Sequence, residues 1–193
     1  KTPHHSVIKA DFKLPTPTGD KMFRTFLNGV TDLDFSYNYR LLNDFAFGAG
    51  MKYGFWDVDV NAFPSDKVNG THKIINPFVS VSKVFQQNRQ LFFEVELKAG
   101  YNTFNTTSEY NGVGYTYKAS GINFEPKFGV YLQTQSDLLS IGMTLNYNYM
   151  NASFSENNLG VNKLPGFSAG SGGNPTQYFS VGFGFYTFLP NKD

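Results

Sequence analysis

Leu91-Phe92-Phe93-Glu94-Val95-Glu96-Leu97-Lys98-Ala99-Gly100-Tyr101-Asn102 is the stretch from which the fold can be read. Leu91, Phe93, Val95, Leu97, Ala99 and Tyr101 share one parity, and Glu94, Glu96, Lys98, Gly100 and Asn102 share the other. A period of two is that of a strand with two unlike faces. One face is apolar and ends in a tyrosine; the other carries charges of both signs. An ordinary sheet over a soluble core could show this once, but here the pattern recurs along the whole chain.

Working outward, the same alternation marks eight strands in all. They are predicted over Val7 to Leu14, Val30 to Leu41, Phe45 to Val60, Ile74 to Phe85, Leu91 to Asn102, Ile122 to Thr134, Leu138 to Met150 and Thr176 to Phe188. Pro15, Pro17 and Gly19 are expected to end the first and open a loop to about Gly29. At Trp56-Asp57 the parity slips, which reads as a bulge. Strand four is the least regular, because Pro77 and Lys83 fall on its apolar parity. Connections alternate: long after strands one, three, five and seven, short after two, four and six. A barrel with compact periplasmic turns and large external loops has that arrangement, and both termini are then periplasmic.

Composition agrees. Aromatic residues are 18% of the 193, with 21 Phe and 12 Tyr, and there are 19 glycines, a profile of strand and turn formers. No linker divides the chain, so residues 1–193 are read as one domain. No run approaches the roughly 18 to 20 apolar residues of a spanning helix, so insertion in a bilayer requires a closed barrel. A formal charge of +1 argues against a nucleic-acid partner. The absence of cysteine excludes disulfides, thiolate metal sites, thiol catalysis and lipid anchoring through an N-terminal Cys. Lys1 opens the chain without a charged and apolar leader, which fits a cytosolic protein or a mature secreted one, and the strand pattern favours the second.

Alternation alone does not say which face is inside; the glycines do. Gly48, Gly50, Gly54, Gly100, Gly129, Gly142, Gly182 and Gly184 all lie on the polar parity. The interior of an eight-stranded barrel is so narrow that large and small side chains must alternate to fill it. The polar face is therefore the crowded inner one and the apolar face meets lipid. Tyr53, Tyr101, Tyr147 and Tyr149 at the long-loop ends, with Tyr37 and Tyr39 near a short turn, are placed as interfacial girdles. The expected fold is all-β: an eight-stranded antiparallel up-and-down transmembrane β-barrel.

This architecture resembles the small eight-stranded outer-membrane barrels of the OmpA/OmpX type over nearly the whole chain. The aromatic ending Phe179 to Phe188 is similar to their C-terminal assembly signal. Tyr186 and Phe188 depart from it, being out of phase with Phe183 and Phe185, and Leu189 to Asp193 extend past it. The Asn-, Tyr- and Phe-rich style resembles small barrels of Bacteroidetes-type bacteria, some of which are accessory parts of larger secretion or assembly machines. The resemblance implies a cell outer-membrane location, outer-membrane lipid as a partner, and possible membership of a larger outer-membrane or periplasmic complex.

Residues with chemical potential are few. His4 and His5 adjoin near the start and His72 falls in a predicted loop; adjacency on a tail does not give convergent ligands, so no metal site is expected. Ser65, Asp66 and His72 share a loop and carry the alternative reading, an outer-membrane enzyme acting on lipid or peptide. Asn69-Gly70-Thr71, Asn105-Thr106-Thr107 and Asn151-Ala152-Ser153 match a glycosylation pattern but read as loop composition. Gly182-Phe183-Gly184 lacks the helix that a phosphate-binding glycine motif opens. A soluble lipocalin-like ligand-binding barrel is a third reading. No cofactor and no catalytic residue is expected.

Lumenal charge is the candidate feature. Lys9, Lys13, Arg40, Lys52, Lys98 and Lys127 balance Asp11, Asp32, Asp34, Glu94, Glu96 and Glu125 on the polar parity, six against six. Unpaired charge in a narrow low-dielectric lumen is costly, so a cross-strand network that plugs the barrel is expected rather than a pore biased to one ion. The function expected is a structural or interaction component, not an enzyme.

Overall fold

The computed structural model describes residues 6–41, 44–62, 68–88, 90–110, 112–135, 138–160 and 174–189. In chain order its elements are β1 (Ser6–Gly19), α1 (Lys21–Phe26), β2 (Leu27–Arg40), β3 (Phe45–Val58), β4 (Val68–Gln86), β5 (Leu91–Tyr110), β6 (Val113–Gln133), β7 (Leu139–Ser153), α2 (Glu156–Leu159) and β8 (Pro175–Leu189). Each strand pairs antiparallel with its sequence neighbours, and β8 pairs with β1 to close an eight-strand barrel. Closure leaves no sheet edge through the belt, the condition for crossing a bilayer with strands. No helix is long and apolar enough to cross a membrane.

The apolar parity points outward. Phe35, Val79, Tyr101 and Phe183 are each more than half exposed, whereas Glu94, Glu96, Lys98 and Glu125 are within 2% of full burial. A soluble barrel would have the reverse arrangement, so the lipocalin-like alternative is set aside. A continuous apolar outer band is stable only against lipid. Tyr37, Tyr39, Tyr53, Tyr101 and Tyr149 are exposed on that surface near its two margins. Tyr147 instead leans on Phe179, with ring centroids 4.9 Å apart, and donates to Gln177 Oε1 at 2.7 Å.

The prolines mark where the ladder is interrupted. β1 runs through Pro15 and Pro17 to Gly19 by pairing with β8, while its ladder with β2 stops at Lys13–Asp32. Proline donates no backbone hydrogen, so each is tolerated on the side where a ladder ends. The expected loop is thus strand plus the short helix α1. Pro77 and Pro126 act similarly inside the wall: β4 pairs with β3 through Pro77 but has no β5 pair at positions 76 and 77, and β6 pairs with β5 through Pro126 but has no β7 pair at 125 and 126. Pro77 is outward, as its parity requires, and so is Lys83, whose ammonium lies 4.9 Å from the Phe45 ring and 5.4 Å from Phe85.

The predicted loop after strand five is a hairpin. β5 and β6 stay paired from Leu91–Leu132 to Tyr110–Val113. Its upper part, Thr103-Phe104-Asn105-Thr106-Thr107-Ser108, keeps strand-forming residues but loses polarity contrast, because it stands above the apolar belt. His72 and all three glycosylation-like triplets accordingly lie in strands, β4, β5 and β7, rather than in loops. The bulge expected at Trp56-Asp57 is on the partner strand: register shifts between Gly29 and Thr31 of β2, opposite Trp56 and Phe55. Gly29 makes this possible, since a Cβ there would lie 2.0 Å from the Pro15 carbonyl oxygen. Trp56 itself stays in phase and faces inward.

Candidate functional site in the barrel lumen

The lumen is filled in tiers. At the short-turn end Val7, Val84, Phe92, Tyr131, Tyr186 and Phe188 are buried together. Phe92 stacks on Tyr131 at 5.1 Å, and Tyr186 meets Tyr131 edge-on at 4.5 Å, within the range of favourable ring pairs. The out-of-phase Tyr186 and Phe188 are explained here: they belong to the inner face and stop this end. Tyr131 lies across Gly129, Gly142 and Gly184, where added Cβ atoms would come within 3 Å of its ring. The small-and-large alternation expected of a narrow barrel thus has a specific origin.

The middle tier is ionic. Lys9 reaches Glu94 at 2.5 Å and Glu96 at 3.2 Å. Lys13 joins Asp34 at 2.7 Å and Glu125 at 3.2 Å, while Lys52 also pairs with Glu125. Lys98 bridges Asp34 and Glu125, and Lys127 joins Asp11 at 2.6 Å and Glu96 at 3.4 Å. Ten of the twelve charges named from sequence therefore stand in one mesh spanning β1 to β6. Asp32 is buried but accepts from Ser180 Oγ at 3.1 Å rather than from a lysine. Arg40 is not brought into the mesh. It ends β2 at the short-turn rim, half-buried, with its guanidinium 5.2 Å from the Phe188 ring. A rim position lets a long cation keep its head in water, which removes the need for a carboxylate.

Above the ions is a cuff of asparagines on adjoining strands, Asn76, Asn102 and Asn123, each buried and without a side-chain hydrogen bond among the described residues. The third tier closes the long-connection end with Phe23, Phe26, Leu27, Trp56, Val58, Ile74, Phe104, Phe154 and Tyr178. Asp20 starts α1 by accepting from the backbone N–H of Met22 at 2.8 Å and of Phe23 at 3.0 Å, which satisfies two donors that the helix start leaves free. That cap aims Phe23 into the mouth, where it meets Trp56 at 4.8 Å and Phe154 at 5.7 Å. Sequence reading missed this stopper. Its signal was the Trp56 position, where the inner parity changes from polar to aromatic.

His72 is part of the stopper. Its Nδ1 shares a 2.7 Å hydrogen bond with Thr106 Oγ1, and its ring stacks on Phe104 at 5.4 Å. It stands three residues beyond Ile75, the last apolar outward residue of β4, hence outside the membrane-spanning part. Burial lowers its pKa to about 3, keeping the ring neutral. His4, His5, Ser65 and Asp66 lie outside the described residues. Among the described residues no group of three or more His, Asp or Glu could hold a metal ion.

An apolar outer belt, a closed eight-strand wall and an interior stopped at both ends around a salt mesh define a small outer-membrane-type β-barrel. No protein-family model matches the chain, and no curated protein matches it. Solved structures do. Neisserial surface protein A is similar with a TM-score of 0.57 at 13% identity, covering 95% of this chain and 97% of that one. Ail, the attachment invasion locus protein of Yersinia pestis, gives 0.53 at 13%, covering 96% and 99%. The outer membrane protease OmpT from Escherichia coli gives 0.50 at 7%, covering 97% and 98%. At such identities the likeness is one of fold.

Proposed function

We propose that this chain is a non-conducting structural or interaction barrel of the cell outer membrane, with short turns and termini in the periplasm and long connections outside. In this role it is an accessory component, alone or within a larger outer-membrane or periplasmic complex, and it has no catalytic activity. The observation that carries the reading is the filled lumen: aromatic stoppers at both ends enclose five lysines and five carboxylates in mutual contact. An ion entering that mesh would have to displace a charge already paired, at a cost of several kcal/mol per uncompensated ion. An eight-strand cylinder has little room beyond its side chains, and open aqueous channels belong to barrels of about 16 strands. Orientation follows the general rule that short turns face the periplasm.

Planar-bilayer reconstitution tests it. The expected record shows no stable unitary conductance at neutral pH; a reproducible open channel would overturn the reading. The enzymatic alternative draws no support from His72, which is held by Thr106 beneath Phe23 and Phe154.

A further inference from the structure

Between the salt mesh and the upper stopper we infer a binding site for one monovalent alkali cation, held by Asp32 Oδ1 and side-chain oxygens of the asparagine cuff, with water completing its shell. The inference rests on the closed lumen. It comes from two observations, a charge count and a set of buried oxygens without partners.

Among the described residues six carboxylates are buried in the lumen, Asp11, Asp32, Asp34, Glu94, Glu96 and Glu125, against five lysines, Lys9, Lys13, Lys52, Lys98 and Lys127. Arg40, which would balance them, stands at the wet rim beside Phe188. Asp20 is buried too, but it is answered by the backbone N–H groups that it caps on α1. Asp32 therefore carries the odd charge. Lys13 is its register partner on β1, yet that ammonium turns to Asp34 and Glu125. Lys52, on the neighbouring β3, is taken by Glu125, Asn148 and Tyr178. Asp32 Oδ2 accepts from the neutral Ser180 hydroxyl, and Oδ1 has no hydrogen-bond partner among the described residues. One uncompensated charge enclosed in a low-dielectric lumen is costly.

Both parts of the site lie over glycines, where no side chain intervenes. A Cβ on Gly54 would lie 2.8 Å from Asp32 Oδ1 and 3.5 Å from Trp56 Nε1, so the carboxylate oxygen overhangs Gly54 beside the indole. Asn76 pairs with Lys52, the inner residue before Gly54, and its Oδ1 overhangs Gly100. Asn123 is the register partner of Gly100, and Asn102 is the next inner residue of β5. All three asparagines are buried, with Oδ1 and Nδ2 unpartnered among the described residues. Gly54 and Asn76 are diagonal neighbours of one ladder, roughly 7 to 8 Å apart, a gap that one cation and its first shell of oxygens can span. Carboxylate, amide carbonyl and water oxygens are the donors that hard cations take. A proton on Asp32 would cancel the charge but leave the amide oxygens unanswered. Water would answer those oxygens but leave the charge. A monovalent cation does both, whereas a divalent one would only reverse the sign of the excess.

The test refolds the full chain into phosphatidylcholine vesicles in sodium, potassium, calcium or choline chloride at one ionic strength. It reads urea unfolding and the emission of Trp56, the single tryptophan of the chain. At about 0.15 M salt, sodium or potassium should lower the unfolding constant about tenfold relative to choline, saturably, and Trp56 emission should shift over the same concentrations. Calcium should do less. Asp32→Asn removes the odd charge, so it should fold and unfold alike in all four salts. Should that variant not fold, N76A/N102A keeps Asp32 and should raise the alkali-ion concentration needed by about tenfold. Identical behaviour of the parent in choline and alkali salts, an ion dependence that survives in D32N or is unchanged in N76A/N102A, or calcium as effective as the alkali ions would each overturn the site. Heat-shifted gel mobility of the same samples reports the folded barrel separately. A barrel that folds without ion preference thus refutes the site and leaves the plugged lumen standing.

Discussion

Glu125 holds three lysines, Lys13, Lys52 and Lys98, and is wholly buried on β6. Buried ion pairs contribute little net stability, because desolvation offsets their attraction, but removing one partner leaves the others uncompensated. Glu125→Gln is therefore expected to destabilise the barrel by about 3 to 5 kcal/mol in urea titrations from detergent or vesicles. Arg40→Gln, at the wet rim, should cost less than about 1 kcal/mol. Equal effects would contradict the division between mesh and rim. The glycines under Tyr131 differ in a checkable way. At Gly129 every near neighbour of an added Cβ belongs to the Tyr131 side chain, the closest at 2.4 Å, whereas at Gly142 the first obstacle is the Val130 backbone oxygen at 2.1 Å. G129A and G142A should each cost about 1 to 3 kcal/mol as overpacking. In a double-mutant cycle, trimming Tyr131 to Ala should relieve G129A and leave G142A almost unrelieved, because only a side chain can yield.

At the scale of elements, Pro126 sets an expectation for dynamics. The β6–β7 ladder loses its pairs at 125 and 126, and it ends at Asn123 although β6 runs on to Val113. Fewer ladder bonds mean easier local opening, so amides of β7 around Tyr147 and Asn148 that face β6 should exchange hydrogen faster than β8 amides at the same depth. Uniform protection around the barrel would refute the seam. The same prolines show what sequence could convey. Alternation located all eight strands because one face must be apolar throughout the belt, and inside the belt the inner charges were legible by parity. Above the belt both faces are wet or the inner one turns aromatic, so the cue vanished: the upper β5–β6 hairpin read as loop, and Trp56 read as slipped parity. Arg40 was misjudged for a related reason, since parity gives the face of a residue but not its depth. The α1 stopper needed tertiary information, because Phe23 and Phe26 flank the polar Arg24 and Thr25 in a six-residue helix with no period to read.

For the molecule as a whole, the height of the apolar band decides which bilayer suits it. On β4 the outward parity is Ile75, Pro77, Val79, Val81, Lys83 and Phe85, with Lys73 above it and Lys83 held between two rings at its lower margin. Ten residue steps at about 3.3 Å, on strands tilted by about 40°, give a band about 25 Å high. That is a few ångströms thinner than an average hydrocarbon core of about 30 Å. Mismatch costs a fraction of a kcal/mol per ångström, and a closed barrel cannot relieve it by kinking as a helix can, so it must thin the lipid around it. Stability against urea should therefore be greatest in phosphatidylcholine bilayers whose core is near about 25 Å and decline steadily as chains lengthen. A midpoint indifferent to chain length, or one rising into the thickest bilayers, would mean that the band does not end at Ile75 and Phe85. Lys73 would then sit inside hydrocarbon, where an unpaired ammonium group is too costly to remain.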